Sequence, residues 1–290
     1  MKNSNTKITK AVILAAGLGT RFLPVTKSVP KELLPIVDKP CIQYLVEEAV
    51  KSGIKEIIIV TNDNKKSIEN YFSSSEDLKK HLSKNKKFKE IEELEKIEKI
   101  AKFIYVKQDN PLGDGHAILC AKKFISDEPV AILFGDDIYD SKTPALLQLI
   151  KQYEKFKTPI LGLQKINKKD SKKYGIIGTK DSKNTYKISS LIEKPDPKKA
   201  PSNLAIVGKY IITPELLNTL EKSKSSTKDK ELRLIDGMIE YIKSQPIYGF
   251  EIEGTRFDTG DKLGFLKATT HFALKHSGLK EDFKSYLKNL

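Results

Sequence analysis

Arginine is nearly missing from this strongly basic chain. Its 290 residues carry 52 lysines and arginines against 38 acidic residues, a formal charge of +14, yet arginine stands only at Arg21, Arg233 and Arg256. Bidentate readout of base edges prefers the planar guanidinium, and no recognition-helix motif or RNA-binding consensus accompanies the scattered lysines. The expectation is therefore a binder of mononucleotides, not of nucleic acid. Cysteine is scarce too. Cys41 and Cys120 lie far apart and no C-x-x-C or H-E-x-x-H spacing occurs, so free thiols in a reducing cytoplasm are expected. No apolar run approaches the roughly 18 residues of a membrane span. Lys2, Lys7 and Lys10 ahead of residues 11–16 imitate a signal peptide, but the apolar part is short and runs into a glycine loop; it reads as a first strand preceded by a short tail. A dinucleotide fingerprint lacks its third glycine, Phe22 standing there, and Gly249 to Gly254 is followed by Thr255-Arg256, not by the Lys-Ser/Thr of a P-loop. Neither NAD binding nor a P-loop ATPase is supported.

What is present begins with Lys10-Ala-Val-Ile-Leu-Ala-Ala-Gly17-Leu-Gly19-Thr-Arg21, followed by Pro30-Lys31-Glu32-Leu-Leu-Pro35. A strand-type apolar run breaks into a two-glycine loop near its carboxyl end, where open α/β sheets bind ligands. The glycines let backbone N–H groups approach a phosphate, and Arg21 and Lys31 supply the neutralising charge. A second strand, Val130-Ala-Ile-Leu-Phe-Gly135-Asp136-Asp137, ends in two carboxylates. Hard divalent cations such as magnesium take oxygen ligands of this kind together with substrate phosphates, which makes Asp136 the candidate metal ligand.

Apolar, β-branched runs recur at about 10–16, 56–62, 102–108 and 129–135, with helical stretches at 41–52 and 115–125. This rhythm predicts an α/β fold with a mainly parallel, mixed central sheet flanked by helices. Hydrophobic content of 39% is ample for its core. Residues 63–100, rich in lysine and glutamate with leucines and isoleucines at helical intervals, read as a helical insertion with a solvated surface. Beyond about 140, strands at 159–166, 174–180, 186–193, 204–212 and 247–253 continue or cap the sheet. A polar linker at 223–229, a helix from about 232, and a C-terminal helical segment at 262–290 complete a single domain over residues 1–290.

The segment from Gly17 to Pro40 resembles the signature of the sugar-1-phosphate nucleotidylyltransferases, G-x-G-T-R then P-K-x-L-L-P, and the uridylyltransferases of that family more closely than the thymidylyltransferases. The resemblance runs in ordered blocks from Lys10 to about Leu287 and implies a Rossmann-like nucleotidyltransferase fold. It implies magnesium-assisted transfer of UMP from UTP to α-D-glucose 1-phosphate, with release of pyrophosphate.

Position by position, the resemblance makes Asp136 the magnesium aspartate, Asp258 of Arg256-Phe-Asp258-Thr-Gly260 a second metal ligand, and Asp137 a neighbour of the sugar. In Leu191-Ile-Glu193-Lys194-Pro195 it places Glu193 on sugar hydroxyls and Lys194 on the sugar phosphate. Gly175 and Val207 touch the sugar through backbone. Gln108 and Gly113 face the pyrimidine, aided by the backbone of Ala16, Gly17 and Gly19, and Glu32 reaches the nucleotide. His116 reads as a structural hydrogen-bonder. Relatives are commonly homodimers or homotetramers, with no membrane or nucleic-acid partner.

One departure stands out: where the family reads E-I-Q-L-T-D, this chain has Glu231-Leu-Arg233-Leu-Ile235-Asp236. Roles of the replaced side chains do not transfer. Alternatives left open are the same chemistry with dTTP or another sugar 1-phosphate, and a sugar-nucleotide binder without catalysis.

Overall fold

The computed structural model describes residues 7–181, 184–225 and 230–290; the start of the expected tail and residues 226–229 of the expected linker lie outside them. In chain order the strands are β1 (Lys10–Leu14), β2 (Pro35–Ile36), β3 (Lys39–Pro40), β4 (Glu56–Thr61), β5 (Lys102–Lys107), β6 (Val130–Phe134), β7 (Asp137–Asp140), β8 (Ile160–Lys165), β9 (Gly175–Thr179), β10 (Thr185–Glu193), β11 (Leu204–Ile212), β12 (Tyr248–Glu251) and β13 (Thr255–Asp258). The helices are α1 (Cys41–Lys51), α2 (Lys66–Phe72), α3 (Glu76–Lys84), α4 (Phe88–Glu98), α5 (Asp114–Cys120), α6 (Lys122–Ile125), α7 (Ala145–Phe156), α8 (Pro214–Lys222), α9 (Leu234–Tyr241), α10 (Lys262–Ala273) and α11 (Lys280–Lys288).

One sheet of nine strands runs in the order β5-β4-β1-β6-β11-β8-β12-β10-β9. Its first four strands are parallel. Their alternation explains the two cores: Val12, Ile58 and Ile132 pack on one face with α5, α8 and α9, while Ala11, Ile13, Ile57 and Ile59 pack on the other with α1, α2 and α7. Strands buried on both faces read as continuous apolar runs, which is how they stood out in the sequence. Helix α1 buries Ile42, Leu45, Val46 and Ala49, one helical stripe, and stops before Gly53 at φ 94°. The second half is mixed, with β11 antiparallel to both β6 and β8.

The segment expected as a helical insertion holds α2, α3 and α4; α2 buries Ile68 and Phe72, whereas no residue of α3 or α4 is buried. Two features were not anticipated. The single helical stretch at 115–125 is divided at Ala121 into α5 and α6. A small separate sheet pairs β7 with β13 antiparallel, setting Asp258 opposite Asp137. That pairing joins segments over a hundred residues apart, and a strand reading Asp-Ile-Tyr-Asp gives no local sign of it. Among the described residues, no helix is long and apolar enough to cross a membrane.

Candidate active site

The carboxyl ends of the parallel strands create the site. Beyond β1 the chain turns through Gly19, at φ 68°, whose carbonyl accepts bonds from Thr26 Oγ1 at 2.8 Å and from the Phe22 N–H at 3.0 Å. Arg21, on the short 3-10 turn that follows, donates from Nη1 to the Gly260 carbonyl at 3.2 Å. Lys31 begins another such turn and pairs with Asp136, Nζ to Oδ2 being 2.5 Å. Burial pulls the Lys31 ammonium down, but Asp136 and Glu32 outweigh it and hold its pKa above the ordinary value. On the other partner, burial pushes Asp136 up, and Lys31 with Arg21 and Arg256 brings it below the usual carboxylate value.

Two cavities open here. One of about 440 Å³ is lined by Ala16, Gly17, Gly19, Lys31, Gln108, Gly113 and other residues. The other, of about 240 Å³, takes in Arg21, Gly175, Glu193, Lys194, Val207 and Asp258. They share Asp114, Phe134 and Asp136. Residues expected to handle the base and Lys31 thus line the larger hollow and those expected to handle sugar phosphate the smaller, while Arg21, expected at the triphosphate, lines the smaller one, and Asp136 stands at the junction.

Glu32 departs from the expectation. It is fully buried and lines neither cavity; its carboxylate accepts from Lys65 Nζ at 3.0 and 2.8 Å, beneath the loop. A side chain turned into the core, already paired with a cation, has no route to the nucleotide. Asp137 lies in the wall of the smaller cavity, but one oxygen accepts from Arg256 Nε at 2.7 Å and the other from the Gly208 N–H at 2.5 Å. Beneath it Lys209, also fully buried, bonds the Asp137 carbonyl at 3.1 Å and Glu48 at 3.1 Å. The register of β11 against β8 breaks between Ile206 and Tyr210, and Val207 and Gly208, which fall within the break, line the smaller cavity.

The β7–β13 pair brings Asp258 close to Asp136. A Cβ added at Gly260 would lie 2.3 Å from Asp136 Oδ2 and 3.2 Å from Asp258 Oδ1, so both carboxylates converge on that bare backbone. Burial, then the charge of Asp136, raises the Asp258 pKa. Two converging carboxylates suit a hard divalent cation that completes its shell with phosphate and water oxygens. Among the described residues there is no group of three or more His, Cys, Asp or Glu that could hold a metal by itself.

On the nucleotide side, Gln108 Nε2 donates to the Gly113 carbonyl at 3.0 Å and sits 3.0 Å from His116 Nδ1. One amide proton is thereby engaged, the second too where His116 Nδ1 is unprotonated, and among the described residues the Gln108 oxygen accepts no bond. Gly113 has φ 104°, and an added Cβ would lie 2.2 Å from the Leu232 carbonyl oxygen. Gly113→Ala is expected to cost about 2–5 kcal/mol, combining left-handed strain with overpacking. A urea titration checks this, and a midpoint equal to wild type would refute it.

Asp114, which sequence reasoning did not single out, lies in the wall of both cavities and accepts from the Leu234 N–H at 2.7 Å. Burial, reinforced by Glu193 and Asp236, pushes its pKa up from 3.8 to about 6 against the pull of that bond and of Arg233. An aspartate raised in the native state contributes stability that is whole below pH 3.8 and is lost as pH rises through about 6. The full change corresponds to about 3 kcal/mol. In Asp114→Asn, whose amide oxygen still accepts from Leu234, this decline should vanish. Unfolding free energies at pH 4 and pH 7 for both proteins measure it; parallel pH curves would overturn the assignment.

Sheet, glycine loop and paired carboxylates suit a nucleotidyl transferase, and the chain belongs to that family: the model described as "Nucleotidyl transferase" matches residues 10–274. It is an enzyme of the nucleotidyltransferase class. Within it the chain is similar to UTP–glucose-1-phosphate uridylyltransferase YngB of Bacillus subtilis (strain 168), 45% identical over 285 residues, 98% of this chain and 96% of that protein. Of solved structures, the UTP-bound UGPase from Acinetobacter baumannii superposes with a TM-score of 0.91 at 36% identity, covering 98% of this chain and 99% of that one. A UDP-glucose pyrophosphorylase complexed with UDP-glucose gives a TM-score of 0.83 at 38% identity, over 93% of this chain and 100% of that one.

Proposed function

We propose that this chain transfers UMP from UTP to α-D-glucose 1-phosphate, releasing pyrophosphate and forming UDP-glucose. The observation that carries this reading is the meeting of two cavities at Asp136, one walled by the glycine loop and Lys31, the other by Arg21, Glu193 and Lys194. The names of the similar proteins supply the identity of the substrates.

The chemistry needs little from the protein beyond position and charge. A phosphate oxygen of the sugar 1-phosphate attacks the α-phosphorus of UTP in line; the new P–O bond forms as the bond to the β-phosphate oxygen breaks and pyrophosphate leaves. The nucleophile is already anionic, so no general base is required. Two polyanions repel one another, and the cations on this chain offset that repulsion. Arg21 and Lys31 hold the triphosphate and stabilise the departing pyrophosphate, while Lys194 holds the sugar phosphate. Glu193 accepts from sugar hydroxyls, and the backbone at Gly175 and Val207 shapes the wall around the ring. Asp136 and Asp258 are the residues that would hold magnesium, which when bound supplies further positive charge to the phosphates. The Gln108 oxygen suits the imide N–H of uracil, which cytosine lacks.

The test is pyrophosphate release over a matrix of UTP, dTTP and CTP against several sugar 1-phosphates, with and without magnesium. UTP with glucose 1-phosphate and magnesium should be the fastest combination. Faster turnover with dTTP, or no pyrophosphate from any pair, would refute the proposal.

A further inference from the structure

The loop after β1 shows an unusual uniformity in what its carbonyls do. Leu14 O accepts from the Gly135 N–H at 3.0 Å, Ala15 O from Lys65 Nζ at 2.7 Å, Ala16 O from Asn62 Nδ2 at 2.9 Å, and Gly17 O again from Lys65 Nζ at 2.5 Å. Four consecutive carbonyls therefore point into the protein. Across a planar trans peptide, the C=O of one residue and the N–H of the next point in opposite directions. Turning the carbonyls of Ala15, Ala16 and Gly17 inward thus turns the N–H groups of Ala16, Gly17 and Leu18 outward. These three residues line the larger cavity. Among the described residues, none of those N–H groups donates to the protein.

Lys65 accounts for two of the four inward carbonyls. Its ammonium has three protons and faces three acceptors: Ala15 O, Gly17 O, and the Glu32 carboxylate at 2.8 Å. Both side chains of the ion pair are almost wholly enclosed, 7% exposed for Lys65 and 0% for Glu32. The chain thus keeps a charge pair under its glycine loop that lines neither of the two cavities and takes no part in the chemistry described above. Burial drives the Glu32 pKa up and the Lys65 pKa down, so the pair costs desolvation that a simple core would avoid. Its geometric return is the orientation of the loop.

We propose that Lys65 is the positioning residue of the nucleotide loop: by holding the carbonyls of Ala15 and Gly17 inward, with Glu32 as its counter-charge, it turns the amides of Ala16 and Leu18 toward the bound nucleotide. The Asn62 amide does the same for Gly17. This deepens the reading above, since it takes the loop to hold a nucleoside triphosphate. Arginine cannot replace Lys65 here. A planar guanidinium directs its protons in one plane, whereas the three acceptors surround a tetrahedral ammonium.

Two variants test the proposal. The double variant Lys65→Met with Glu32→Met removes both charges together, an exchange that is often neutral or stabilising for a buried ion pair; it should retain the fold by circular dichroism and urea titration. Lys65→Arg keeps the charge against Glu32 and serves if the double variant does not fold. In either, kcat/KM for UTP should fall about a hundredfold, the loss that follows a displacement of about 1 Å at a reacting group. UTP affinity by calorimetry should weaken in step, while KM for glucose 1-phosphate stays unchanged. A folded variant with wild-type kcat/KM and UTP affinity would overturn the role of Lys65 while leaving the enzyme assignment standing. Equal loss for both substrates would overturn it too, because it would mark a general structural defect. Failure of the wild-type protein to bind UTP would instead bring down the uridylyltransferase reading, and this inference with it.

Discussion

Asp136→Ala is expected to lower kcat by about a hundredfold to a thousandfold, the loss seen when one preorganised electrostatic group is removed from a reaction centre. Asp136 stands at the junction of the two cavities, pairs with Lys31 at 2.5 Å and converges with Asp258 on Gly260. The substitution removes the anchor that fixes the Lys31 ammonium and one of two carboxylates available to a divalent cation. The protein should remain folded, since the aspartate lies at the end of β6 and not within its core. The check is single-turnover pyrophosphate release across a magnesium titration. Turnover equal to wild type in a pure, folded variant would remove Asp136 from the mechanism.

The second large effect is expected at Lys194. Its side chain is 52% exposed and its nearest carboxylate is Glu193 at 3.3 Å, a pair whose loss costs little stability because solvent screens it. Lys194→Ala should therefore leave the urea midpoint within error of wild type. Turnover should nevertheless fall about a hundredfold, because a half-desolvated cation that meets an incoming phosphate acts on the barrier and not on the fold. The loss should appear in kcat/KM for glucose 1-phosphate, with UTP affinity retained. A variant that lost UTP affinity equally would place Lys194 on the triphosphate instead.

What the sequence disclosed was what lies contiguously at strand ends. Gly17 to Arg21, Gly135 to Asp137 and Glu193-Lys194 each follow an apolar run, and the strand itself announces where its end will lie. Both cavities are built on these segments. The misreading of Glu32 has a different source: whether a residue on a one-turn helix faces ligand or core depends on its partner, and that partner is Lys65, in the next βα unit. Lys65 was hidden in turn because it opens a stretch so rich in lysine and glutamate that all of it reads as solvated surface. Its place just past β4, the strand beside β1, was the available sign. Asp114 sits between two glycines with no apolar periodicity to orient it. The β7–β13 pairing, which sets Asp258 near Asp136, rests on long-range contact alone.

The division of the sheet carries a consequence for how this enzyme's preferences change. The larger cavity takes its walls from residues 14–136 and Glu231, whereas the smaller draws heavily on residues 173–258. If the larger cavity takes the donor and the smaller the acceptor, as proposed, their recognition is written largely in different stretches of polypeptide, joined at the ends of β1 and β6. Exchanging the later stretch with that of a homologue selective for another sugar phosphate should transplant the acceptor preference while the choice of nucleoside triphosphate stays put, and drift in one need not disturb the other.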